Sequence, residues 1–116
     1  MSDGDCIFCN IVNKKIPAKT VFEDKEVMAF EDVKPQAPVH IMVIPKAHIG
    51  KVSEMKDEHL SLVGKLVLAA KNIAKDKGIQ ERGYRIVINC NKDAGQEVFH
   101  LHLHLLGGRK FGWPPG

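Results

Sequence analysis

A chain of 116 residues is the size of one domain, and its 44% hydrophobic content supports one core with no length left for a second. The net charge of +3 is small and the basic residues are scattered, which argues against a nucleic-acid polymer as partner while leaving room for a small anion. No stretch approaches the roughly 18 uninterrupted apolar residues of a membrane span. Met1-Ser2-Asp3-Gly4-Asp5 lacks the basic and apolar regions of a signal peptide, so a cytoplasmic or nuclear protein without membrane attachment is expected.

Cys6-Ile7-Phe8-Cys9 opens the chain with a C-x-x-C pair. In a reducing compartment such a pair is thiols or metal ligands rather than a disulfide, and zinc would need two further ligands. Ile7, Ile11 and Phe8, Val12 fall at helical spacing, predicting a short helix over 7–15 that Pro17 ends. Val21 to Glu23 and Val27 to Glu31 read as a hairpin, and Lys34-Pro35-Gln36-Ala37-Pro38 as a loop, because two prolines remove donors and restrict their neighbours. His40 to Pro45 is a nearly continuous apolar run, the pattern of a central strand.

Leu60, Val63, Val67, Ala70 and Ala74 share one helical stripe with Leu66 and Ile73 beside it, predicting a long helix from about Asp57 to Lys77 with Gly78 as its stop. His59 is expected to be a solvated surface histidine and Cys90 a packing residue. Arg85 to Asn89 and Val98 to Leu106 supply the last two strands. Strands outnumber helices and the connections are short, which predicts an α+β fold: an antiparallel sheet with one long helix packed on it and one short helix.

The final strand carries the strongest signal. In Val98-Phe99-His100-Leu101-His102-Leu103-His104-Leu105-Leu106, imidazole alternates with an apolar side chain, a period of two that turns all three histidines to one side. Same-side neighbours on a strand stand roughly 6.5–7 Å apart, so His102 can meet a ligand with His100 and His104 flanking it. Imidazole titrates near neutrality and can be nucleophile, proton carrier or metal ligand. Gly107-Gly108 closes the strand.

His100-Leu101-His102-Leu103-His104-Leu105-Leu106, preceded by Gly95-Gln96, resembles the signature of the histidine triad superfamily. Ile16-Pro17-Ala18-Lys19, Phe30-Glu31-Asp32, Pro35-Gln36-Ala37-Pro38-Val39-His40, Val43-Ile44-Pro45-Lys46 and the ending Gly107-Gly108-Arg109 with Trp113-Pro114-Pro115-Gly116 extend the likeness over nearly the whole chain, within the Hint branch of nucleotide-binding proteins. That resemblance implies a single domain over 1–116, and a homodimer whose two five-stranded sheets join into one of ten strands. It also implies hydrolysis of purine nucleoside 5′-phosphoramidates and aminoacyl adenylates, releasing AMP or GMP through a nucleotidyl-phosphohistidine.

The resemblance also assigns roles. His102 matches the family nucleophile, His104 the histidine on the α-phosphate that handles the leaving-group proton, and His40 a fourth histidine supporting them. Asn89 matches a phosphate-side amide and Asp32 the carboxylate that takes the ribose hydroxyls. Gly95 admits a close backbone approach, and the N–H groups of Gln96, Glu97 and Val98 can cradle phosphate oxygens. Phe8, Ile11, Ile16, Phe30 and Val33 fall where the family lines its purine pocket. Glu97 stands where some relatives place a serine near the leaving group, which favours cationic amines. His48 and His100 match the two ligands that complete a structural zinc site with Cys6 and Cys9, with no catalytic metal and no organic cofactor. The tail 109–116 is expected to cross the dimer and bring Trp113 to the partner's leaving-group side. Two readings stand against hydrolysis by histidine alone: a three-histidine zinc hydrolase with an open coordination position, and a nucleotide-binding regulatory or scaffold module whose hydrolysis is incidental.

Overall fold

Val39–Pro45 (β3) decides the architecture, because its side chains from His40 onward are buried on both faces of the strand and each face therefore needs a cover. The computed structural model describes residues 3–116, so the reading made of Met1 and Ser2 lies outside the described residues. Around β3 stand Thr20–Glu23 (β1), Val27–Glu31 (β2), Tyr84–Val87 (β4) and Leu103–Gly107 (β5), in the antiparallel order β1-β2-β3-β5-β4. Ile41 and Val43 point to one side, where Val27, Ala29, Leu103 and Leu105 join them under Leu66, Ala70, Ile73 and Ala74 of the long helix Leu60–Asp76 (α2). Met42 and Ile44 point to the other side, where Met28 and Phe30 meet Cys6, Phe8, Cys9 and Ile11 around the short helix Ile7–Val12 (α1). The result is the expected α+β sheet with one long and one short helix.

Several expected boundaries shift for identifiable reasons. Helix α1 ends at Val12, because Lys14 turns into the left-handed region at φ 63° well before Pro17. Helix α2 begins at Leu60 after a 3₁₀ turn over Asp57–His59. His59 is half-buried rather than solvated, and its Nδ1 accepts the Lys56 N–H at 3.0 Å, fixing that turn. The buried stripe of α2 is rotated from the expected one: Leu66, Ala69, Ala70, Ile73 and Ala74 face the sheet, while Leu60 is 80% exposed and Val67 41%. Small alanines let the helix axis approach the strands, and Leu66 and Ile73 fill the space between.

The last strand starts at Leu103 rather than Val98. The Leu101 N–H donates to the Ile49 carbonyl in the loop after β3, and the His100 ring to the Pro45 carbonyl at the end of β3, so 98–102 is held there without forming a ladder to a neighbouring strand. The expected strand from Arg85 to Asn89 is observed as Tyr84–Val87. Beyond β5 the tail folds onto its own sheet: Arg109 and Arg85 lie over the Phe111 ring at 4.3 and 5.1 Å, and the Arg85 Nη2 donates to the Gly112 carbonyl.

Leu66 is fully buried where α2 meets the sheet. Leu66→Ala is expected to cost about 2–5 kcal/mol in unfolding free energy, read as a lower urea midpoint at unchanged slope.

Candidate functional site

Alternation continues through the extended segment before β5, so His100, His102 and His104 all emerge on the α1 side of the sheet. The Phe8 ring packs edge-on against both His100 and His102, at centroid distances of 5.9 and 5.3 Å. The His102 and His104 rings are 5.0 Å apart, and His40 comes from β3 to lie 5.2 Å from His104.

Main-chain partners settle which nitrogen of each ring carries its hydrogen. His102 Nδ1 lies 2.7 Å from the His100 carbonyl oxygen, which can only accept. Nδ1 therefore holds the hydrogen and Nε2 keeps its lone pair. His40 Nδ1 accepts the Gln36 N–H at 3.0 Å, so its own hydrogen sits on Nε2. From there it donates to His104 Nδ1 at 2.9 Å, with Asp32 Oδ2 also near at 3.4 Å. His104 then carries its hydrogen on Nε2. The site thus offers one imidazole with an available lone pair beside another with an available N–H.

Burial pushes all three of these rings toward the neutral form. His102 and His40 are lowered by burial, partly offset for His102 by the hydrogen bond to the His100 carbonyl and for both by Asp32. His104 is lowered to about 4, by burial first and then by its neighbours His102 and His40. In this network the neutral His104 presents its Nε2–H as a donor.

His100 belongs to a different cluster. Its Nε2–H donates to the Pro45 carbonyl at 2.7 Å, which turns the Nδ1 lone pair toward Cys6 Sγ at 3.3 Å and Cys9 Sγ at 3.5 Å. His48 Nδ1 lies 3.2 Å from Cys9 Sγ, and all four donor atoms fall within 4.8 Å of one another. With metal–sulfur and metal–nitrogen bonds near 2.3 and 2.0–2.1 Å, adjacent S and N ligands of a tetrahedral zinc stand about 3.5 Å apart, so these residues could hold such an ion. A ring N–H donated to a carbonyl is also the usual outer partner of a metal-bound histidine. Asp32, His40 and His104 likewise converge within 4.8 Å. There the Gln36 N–H occupies His40 Nδ1 and leaves a hydrogen on Nε2, an arrangement suited to a hydrogen relay and not to a ligand. Because His100 turns to the cysteines, the triad does not converge on one ion, and the three-histidine hydrolase loses its ligand set.

The remaining expected residues divide. Asn89 and Asp32 are half-buried, and Gly95 adopts φ +84°, the left-handed turn for which glycine is suited. Gln96 is committed internally: its N–H donates to the Asn91 carbonyl, Oε1 accepts the Asn91 N–H, and Nε2 donates to the carbonyls of Gly50 and Val98. It braces the loop, leaving Glu97 and Val98 as the candidate phosphate-binding N–H groups. Glu97 itself is exposed. Phe8, Ile11 and Phe30 are buried together with Ile16 packed against them, while Val33 stands apart at 93% exposure. Trp113 is 84% exposed at the end of the anchored tail. Cys90 is half-buried rather than core, with Sγ 3.2 Å from the Ser53 hydroxyl. The chain positions that sequence reasoning left unassigned are Gln36, Pro45 and Arg109, which act here through backbone groups or on them.

The neutral rings give a pH dependence with a definite sign. His104 titrates near its ordinary value of 6.5 when unfolded and at about 4 when folded, so between these limits the unfolded chain binds more protons. Stability is therefore expected to be full above about pH 6.5 and to fall as pH drops toward 4, with His102 and His40 adding in the same direction. His104→Gln should flatten part of that fall in urea midpoints measured across pH 4–7.

This arrangement is shared with known proteins. The model of the HIT domain matches residues 13–111. The adenylylsulfatase HINT1 of Arabidopsis thaliana is 47% identical over 99% of this chain and 79% of its own length, and a 14 kDa zinc-binding protein of Zea mays is 44% identical over all of this chain and 91% of its own. The crystal structure of a HIT family hydrolase from Legionella pneumophila superposes with a TM-score of 0.95 at 49% identity, over 97% of this chain and 100% of that one. With the alternating histidines, the fourth histidine on β3 and the sheet order all in place, the chain belongs to the HIT domain family, in its Hint-like branch.

Proposed function

We propose that the protein hydrolyses purine nucleoside 5′-phosphoramidates and aminoacyl adenylates, releasing AMP or GMP through a nucleotidyl group carried on His102. One observation carries this reading: the bond from His102 Nδ1–H to the His100 carbonyl, which leaves the Nε2 lone pair available beside the His104 Nε2–H. His102 Nε2 attacks the α-phosphorus, forming a nitrogen–phosphorus bond as the bond to the leaving group breaks. The ring becomes a cation whose Nδ1–H still meets the carbonyl. His104 donates its Nε2–H to an α-phosphate oxygen, holding charge that builds in the transition state. A departing amine gains one proton from the medium; a departing carboxylate needs none. Water then attacks phosphorus, His102 leaves neutral, and the borrowed proton returns to solvent.

Support for the substrate class comes from the relatives. The relative named an adenylylsulfatase supports an adenylyl-type substrate, with a different leaving group proposed for this chain. Phe8, Ile11, Ile16 and Phe30 offer an apolar wall for the base, Asp32 and Asn89 polar groups for ribose and phosphate. Glu97, exposed on the loop, favours a cationic amine and disfavours an anionic leaving group. The same proposal includes a homodimer that joins the two sheets through their β4 edges and covers the exposed Leu60, Val67 and Leu68 of α2, with Trp113 reaching the partner's leaving-group side. Cys6, Cys9 and Cys90 form no disulfide, which suits a reducing cytoplasm.

Zinc is part of the proposal as a structural ion held by Cys6, Cys9, His48 and His100. With four protein ligands it would supply folding energy and no open position for chemistry. The zinc-binding protein of Zea mays supports the choice of metal.

His102→Ala should lower phosphoramidate turnover by at least a thousandfold while AMP affinity stays within about tenfold, since the attacking atom is lost and few ground-state contacts are. Turnover within tenfold of wild type would sink the nucleophile assignment. Elemental analysis of protein purified without chelator should give close to one zinc per chain. The Cys6→Ser, Cys9→Ser double variant should melt about 10 °C lower or more, as expected for a loss of roughly 2 kcal/mol in a domain of this size. Well under half a zinc per chain, or an unchanged melting temperature, would count against the site.

A further inference from the structure

Arg109 lies beyond β5 and has no part in the steps above, yet it is bonded into the histidine network from outside. Its Nε donates to the Gln36 carbonyl at 3.0 Å, its Nη1 to the Lys110 carbonyl at 3.2 Å, and its guanidinium covers the Phe111 ring. The N–H of the same Gln36 is the group that donates to His40 Nδ1. Gly108 reinforces the contact: at φ +89° it approaches Pro38 so closely that a Cβ would stand 2.9 Å from the Pro38 Cβ, so the loop 34–38 is pressed against the chain just where Arg109 departs.

We infer that Arg109 is a positioning residue for His104, acting through the Gln36 main chain and His40. By holding the Gln36 carbonyl it keeps the Gln36 N–H aimed at His40 Nδ1. That bond excludes a hydrogen from Nδ1 and keeps it on Nε2, which in turn keeps the His104 hydrogen on Nε2, facing the substrate. If the loop turned away, His40 could carry its hydrogen on either nitrogen, and His104 with it. The Phe111 ring, held also by Arg85, makes the tail the anchor of this chain of bonds. The kinetic consequence rests on the proposed hydrolysis; the tautomers do not.

The test uses full-length protein with nitrogen-15-labelled histidine and long-range proton–nitrogen spectra of the rings. Wild type should show His40 and His104 each with the hydrogen on Nε2, and His102 with it on Nδ1. Arg109→Met, which keeps an apolar stem and loses the donors, should show mixed tautomers for His40 and His104 but not for His102. Its kcat should fall at least tenfold with KM and AMP affinity within about twofold, and Arg109→Lys, with a single donor nitrogen in place of two, should fall between the two. A wild-type His40 with its hydrogen on Nδ1 overturns the inference even if no variant folds. So does an Arg109→Met protein with wild-type tautomers, or one losing affinity and kcat together. A wild type that turns over no phosphoramidate would refute the hydrolysis while leaving the spectra to decide the positioning.

Discussion

Three main-chain groups determine what the buried histidines can do. The Pro45 carbonyl, the His100 carbonyl and the Gln36 N–H each bind one ring nitrogen, of His100, His102 and His40 in turn. Each imidazole is left with a single defined function: a lone pair toward the cysteines, a lone pair toward the substrate side, and a hydrogen passed to His104. Side chains free to rotate would offer mixtures of tautomers, and a mixture would hold the competent combination only part of the time. Backbone groups fix the outcome because the sheet and its loops fix them.

The two clusters on the α1 side share a strand segment and divide its chemistry. His100 turns to Cys6, Cys9 and His48, while His102, two residues on, meets His104 and His40. Since the carbonyl that orients His102 belongs to His100, whatever steadies His100 also steadies the His102 ring. Burial works in the same direction. It favours the neutral forms of His102 and His104, so that one ring offers a lone pair and the other a hydrogen-bond donor. The proposed hydrolysis uses that setting, with a neutral imidazole as the attacking group.

Much of this was legible in the residues. The continuous apolar run of β3 announced a central strand covered on both faces, and the period of two from Val98 to Leu106 placed three imidazoles on one side. Where pattern reading failed, tertiary bonds had won. Alternation continues through 98–102, but its backbone bonds to the loop after β3, so the strand begins five residues later than its sequence suggests. The stripe on α2 was displaced because the alanines, rather than Leu60 and Val67, set the closest approach to the sheet. Gln96 looked like a phosphate-binding residue and is a brace, since its amide bonds to Asn91 and Val98 within the loop and to the Gly50 carbonyl of the loop after β3, and its N–H to Asn91. Gln36 and Pro45 lie in segments that carry the family likeness, but their main-chain roles were not legible, because a peptide group's role is not written in the side chain attached to it.

The most direct measurement is to stop the reaction of wild-type protein with a purine nucleoside phosphoramidate in alkali, which spares a phosphorus–nitrogen bond to histidine, and to map the modified peptide. A nucleoside monophosphate group on His102, formed at the rate of amine release and lost at the rate of AMP release, is the expected result. Amine release with no nucleotidyl group on any residue, and with solvent oxygen entering AMP in a single step, would contradict attack by His102.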